Sequence, residues 1–254
     1  WHLGGEQYLP ENHGFDYTFA GGDYGHHQTM FSPFEIPVIP DTEPGKYLTD
    51  YLTDKAEEFI ESNQDRPFFM YLSLYAVHSP IQAKEELIEK YREKLKNGDE
   101  GDPVYAAMVE GVDICVNRIR QKLTDLNLSE NTIIMFFSDN GGVPSRASNG
   151  PLRSGKGYLF EGGIREPLII HWPGVTTPGS VNDALVTSTD FYPTIMEMVA
   201  GSEQSGNTDG ETIVPLLRGE NAIPRDTLYW HYPHYSNARS EERRVGKECT
   251  LRCR

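Results

Sequence analysis

The chain of 254 residues has only three cysteines, Cys115, Cys249 and Cys253, and no Cys-x-x-Cys pair among them. That excludes a disulfide framework. No apolar run approaches the ~20 residues needed to cross a bilayer, and the longest, such as 67–77, are strand-length. Basic charge is scarce: 23 Lys and Arg stand against 38 Asp and Glu, a net charge of −15. A generic binder of nucleic-acid phosphates wants a basic face, so nucleic acid is not an expected partner. An anionic substrate would have to be attracted locally, by a metal or a few lysines. No signal-peptide pattern is present: the chain opens Trp1-His2-Leu3-Gly4 without an initiator Met, so its first residue reads as a cut end. There is no Gly-x-Ser-x-Gly elbow, which disfavours an α/β-hydrolase triad. Lys156 is followed by glycine and no strand runs straight into its loop, which argues against a P-loop.

The residues that are there have a globular balance, 37% hydrophobic and 24% charged. Leu48, Leu52, Ala56, Phe59 and Ile60 recur at helical spacing. Residues 84–96 read as a charged surface helix. Asp102-Pro103 opens the strongest helix pattern, a capping acid with proline at the first helical position. Val104, Met108, Val112, Cys115, Ile119, Leu123 and Leu126 form its apolar stripe. The runs 67–77, 132–137 and 167–172 are nearly continuous in apolar residues, as strands buried on both faces are. Residues 183–187 suggest a fourth strand and 228–232 a late edge strand. Asp190 is placed to cap a helix that ends at Gly201. Strands alternating with helices imply a three-layer α/β/α sandwich around a mostly parallel sheet.

In such sheets ligands bind beyond the carboxyl ends of the strands. His78 lies at one such end, Asp139 and Asn140 at another. An ionised Asp beside an amide oxygen suits a hard cation such as Ca²⁺ or Mg²⁺; Asp-Asn-Gly-Gly is equally ordinary turn chemistry. His78 is placed to act as an acid or base, or simply to satisfy its strand-end backbone. Lys156, between Gly155 and Gly157, can point its ammonium into a pocket. His26 and His27 read as loop or supporting groups. The aromatic segment 229–235 fits sugar stacking as well as edge packing. From 239 onward basic residues outnumber acidic ones and no period is visible, so the segment reads as a disordered or non-native tail. The division that follows is 1–237 and 238–254.

Taken in order, these motifs resemble the type I sulfatases of the alkaline phosphatase superfamily, the arylsulfatase-A-like members above all. They are Trp1-His-Leu-Gly4, Ala76-Val-His-Ser-Pro80, Ser138-Asp-Asn-Gly-Gly142, Pro151-Leu-Arg-Ser-Gly-Lys-Gly157 and Glu161-Gly-Gly-Ile-Arg-Glu-Pro167. Trp172-Pro-Gly174, Asp190-Phe-Tyr-Pro193 and Asp209-Gly-Glu-Thr212 continue the match. The resemblance implies an alkaline-phosphatase-like fold, lacking its N-terminal part here. It implies hydrolysis of sulfate esters with one Ca²⁺ and a formylglycine nucleophile made in a Cys/Ser-x-Pro-x-Arg motif. No such motif occurs in these residues, so it is expected upstream of Trp1, and the fragment alone is expected to be inactive. Asp139 and Asn140 match calcium ligands of the family. Lys156 matches its sulfate-binding lysine, and His78 the histidine at the sulfate and leaving group. His2 matches the histidine holding the formylglycine hydroxyl. The implied partner is a sulfated small molecule or polysaccharide, and the implied location periplasmic or extracellular. A phosphodiesterase or phosphonate hydrolase of the same superfamily, and a non-catalytic binding protein on this fold, are the alternatives.

Overall fold

Asp102 and Pro103 start the longest helix, α3 (Pro103–Asp125). The Asp102 carboxylate accepts from the N–H groups of Val104 and Tyr105 at 2.9 and 3.3 Å, donors that a helix start otherwise leaves unpaired. The buried face of α3 is Ala107, Met108, Gly111, Cys115, Ile119 and Leu123, the stripe that the spacing predicts. Asp102→Ala is expected to cost about 1 kcal/mol, read as a lower midpoint of denaturant unfolding.

The computed structural model describes residues 3–24, 27–96, 101–201, 208–220 and 223–232, and the backbone of 241–246. These belong to two units, 1–129 and 130–254. In the first, helices α1 (Leu48–Ser62) and α2 (Glu85–Leu95) lie against α3. Arg118 of α3 reaches Asp54 and Glu57 of α1, each at 2.6 Å. Met30 and Phe34 come from the irregular first stretch, yet both are fully buried beside Leu48 and Met108. His27 is also core: it is buried, with its ring edge-on to Tyr75 at 3.9 Å between centroids. His26 lies outside the described residues.

The strand expected at 67–77 is not a paired strand here. Leu74, Tyr75, Ala76 and Val77 pack on the core, whereas Phe69 and Tyr71 are 59% and 63% exposed. Apolar content places one side of this run, but a strand also needs a neighbouring backbone to take up its N–H and C=O groups. Among the described residues none is paired with it.

In the second unit β1 (Ile134–Phe137) pairs with β2 (Leu168–His171). The ladder is antiparallel, from Ile134 opposite His171 to Phe137 opposite Leu168. The described ladders therefore depart from the parallel pairing that their apolar runs predict. Composition reports that a run is apolar, not which way its neighbour runs or how deeply it is buried: neither β1 nor β2 has a fully buried residue. Residues 183–187 form no strand. Asp190 precedes α4 (Phe191–Ala200), but its side chain caps the 3₁₀ turn Ser188–Asp190 and leaves α4 uncapped. Gly201 ends α4 in the left-handed conformation, φ 75°, with its N–H on Glu197 O. β3 (Thr227–Tyr232) pairs antiparallel with β4 (Glu241–Gly246). Six residues of the expected structureless tail thus have strand backbone, with Tyr229 opposite Arg244 and His231 opposite Glu242. Their mixed charges hide that pairing from any hydrophobic period.

Candidate active site

The loop after β1 is tied down from several sides. Ser138 N donates to Pro167 O at 3.3 Å, and Ser138 Oγ donates to Asn140 O at 3.1 Å. Gly142 N donates to Asn149 Oδ1 at 3.0 Å, while Asn149 Nδ2 donates to Gly142 O and Ser154 O, both at 3.0 Å. Lys156 N donates to the same Gly142 O at 3.1 Å. Asn149 thereby clamps the Asp-Asn-Gly-Gly turn to the lysine loop. The sequence offered only a turn signal for it, the Ser-Asn-Gly-Pro at 148–151.

Glycines are required where these loops meet. A Cβ at Gly141 would lie 1.8 Å from Gly162 O, and one at Gly155 would lie 2.2 Å from Gly142 O. No side chain survives such contacts, so the backbones approach only because both positions are glycine.

This clamp brings two of the expected site residues to one place. Asn140 and Lys156 line a cavity of about 540 Å³ together with Ser145, Tyr158 and Ile164. That is a small-molecule scale. Asp139 adjoins Asn140 and is exposed. Asn140 Oδ1 is buried without a hydrogen-bond partner. A buried acceptor left unpaired is costly, and a cation is one way to satisfy it. Asp139 and Asn140 therefore fit the oxygen chemistry of a hard divalent ion. They are two donors only, and among the described residues no group of three or more His, Cys, Asp or Glu is arranged to hold a metal.

Glu166 is the residue that sequence reasoning passed over. Burial, and then the charge of Asp139, push its carboxyl up to about 7. Its Oε1 is buried with no hydrogen-bond partner. The available signal was a lone acid at the mouth of the apolar run Pro167-Leu-Ile-Ile170.

His78 belongs to the first unit. It is exposed, with its N–H on Tyr75 O at 2.8 Å and its Nδ1 3.3 Å from Ser79 O. His2 lies outside the described residues. No helix among the described residues is long and apolar enough to cross a membrane.

A family model described as Sulfatase matches residues 1–202. A sulfatase of Formosa agariphila is 39% identical over 212 residues, which cover 77% of this chain and 38% of that protein. Mouse arylsulfatase J is 32% identical over 259 residues, 94% of this chain and 43% of that protein. The chain thus spans about two fifths of the length of these curated relatives. Among solved structures, Ps i-CgsB in complex with k-i-k-neocarrahexaose is 35% identical, with a TM-score of 0.67, over 75% of this chain and 43% of that one. This likeness shows the alkaline-phosphatase-like α/β fold that the motifs imply.

Proposed function

The chain belongs to the sulfatase family, and from that premise we propose that it forms part of a sulfuric ester hydrolase acting on sulfated carbohydrates. One observation carries the reading. Lys156 and Asn140, whose Oδ1 is buried and unpaired, line one cavity, and Asp139 directly precedes Asn140 in the same turn. In this reading Asp139 and Asn140 hold Ca²⁺, whose charge polarises the sulfuryl oxygens when it is bound. The Lys156 ammonium donates to a sulfuryl oxygen and offsets negative charge as it develops. His78 directs a proton or hydrogen bond to the leaving-group oxygen, and His2 holds the nucleophile's hydroxyl. The nucleophile, a formylglycine, belongs to a motif outside these residues. The carbohydrate class draws support from the solved relative bound to neocarrahexaose. A periplasmic or extracellular location goes with the same reading.

The test uses the polypeptide that carries residues 1–254 together with its nucleophile motif. Lys156→Ala is expected to lower kcat/KM on a sulfated sugar by about 10²-fold or more, as lost oxyanion contacts do. A wild-type rate in that variant overturns the assignment of Lys156.

A further inference from the structure

Glu166 has no role in the reading above, yet it stands beside the residues that the reading uses. The register of β1 and β2 runs from Ile134 opposite His171 to Phe137 opposite Leu168. It continues through Ser138 N, which donates to Pro167 O at 3.3 Å. Extended one residue past its last pair, that register sets Asp139 opposite Glu166. In an antiparallel ladder the step after a hydrogen-bonded pair is a non-hydrogen-bonded one, whose two side chains lie on one face.

Two carboxylates directly opposed repel each other. Nothing described on the protein relieves Glu166. Its Oε1 is buried without a hydrogen bond, and its neighbour Arg165 is engaged by Glu161 at 3.2 Å. Asn140 Oδ1 is in the same unpaired state. Two buried acceptors and an anion, grouped at one strand end, call for a positive charge.

Resting on the calcium reading of Asp139 and Asn140, we propose that Glu166 is a positioning residue of the cation site. Its carboxylate faces Asp139, adds negative charge to the site and strengthens cation binding. The cation in turn removes the repulsion between the two strands at this point. The relation is reciprocal: whatever Glu166 adds to cation affinity, the cation returns as stability of the β1–β2 end.

Calcium alone is titrated calorimetrically into the polypeptide carrying this chain, at mildly alkaline pH, as wild type, Glu166→Gln, Glu166→Asp and Asp139→Asn. Thermal midpoints are read with calcium and with chelator. Glu166→Gln is expected to weaken calcium binding about tenfold or more, because carboxylate count sets affinity in such sites. The same variant is expected to melt higher than wild type in chelator, and to gain less from calcium. Glu166→Asp keeps the charge and is expected to keep most of the affinity. Wild-type affinity in Glu166→Gln, with binding lost in Asp139→Asn, overturns the role of Glu166 and leaves the calcium reading standing. An equal loss in Glu166→Asp and Glu166→Gln, with a lower melting point in chelator, makes Glu166 a packing residue and also overturns it. A wild type that binds no calcium overturns both.

Discussion

Asp190→Ala is expected to destabilise the second unit by about 3–5 kcal/mol, the usual cost of leaving one partner of a buried ion pair alone. Asp190 is fully buried. Its Oδ1 accepts from Arg225 Nη1 at 2.9 Å and from Glu211 N at 3.0 Å. Its Oδ2 accepts from Arg225 Nη2 at 2.6 Å and from Thr187 N at 2.8 Å. Arg225 Nη2 also donates to Leu185 O at 2.7 Å. One carboxylate therefore ties its own turn to Glu211 and Arg225, two stretches distant in sequence. The alanine variant removes all four bonds and strands Arg225, whose side chain is only 12% exposed. Asp190→Asn keeps the shape and loses the charge, so it is expected to fall between wild type and alanine. Denaturant unfolding measures the order.

The same group sets a pH dependence. Burial alone would raise the Asp190 carboxyl, but the Arg225 guanidinium and the N–H groups of Thr187 and Glu211 more than offset that and hold it below the usual carboxylate range. A carboxyl lowered in the folded state stabilises at pH values above its unfolded pKa. That stabilisation is lost as pH falls through the folded value. Wild type is therefore expected to lose stability on the acid side more steeply than Asp190→Asn. Parallel acid limbs in the two proteins would show that Asp190 is not ionised in the fold.

On the proposed calcium reading, Asp139→Ala in the polypeptide that carries this chain and its nucleophile motif is expected to remove calcium binding and to lower sulfatase turnover about 10³-fold, since a bound metal supplies several kcal/mol of transition-state stabilisation. The loss should exceed that of Lys156→Ala, because a missing anionic ligand releases the ion whereas a missing lysine removes one contact. Calcium titration and turnover on a sulfated sugar, run on the same preparations, check both parts. Full activity in Asp139→Ala, or activity lost while calcium affinity is kept, would contradict the role given to this residue.

The sequence by itself determined the family and the longer helices, and it singled out the turn and the lysine loop as candidates for the site. The α3 stripe and its Asp102 cap are local: neighbours three and four apart on one helix face decide them, so a one-dimensional pattern carries them. The order of short motifs identified the sulfatase family because tight turns and close backbone approaches demand fixed residue types at fixed spacing. Tertiary structure alone decided how strands pair. Apolar runs look alike whether their neighbour runs parallel, runs antiparallel or is absent; β1 and β2 meet antiparallel, and among the described residues nothing pairs with 67–77. It also decided which distant side chains meet. Arg225 reaches Asp190 across 35 residues, a pairing that no linear spacing contains. Burial then gave this pair its strength, because an ion pair matters most where water cannot screen it.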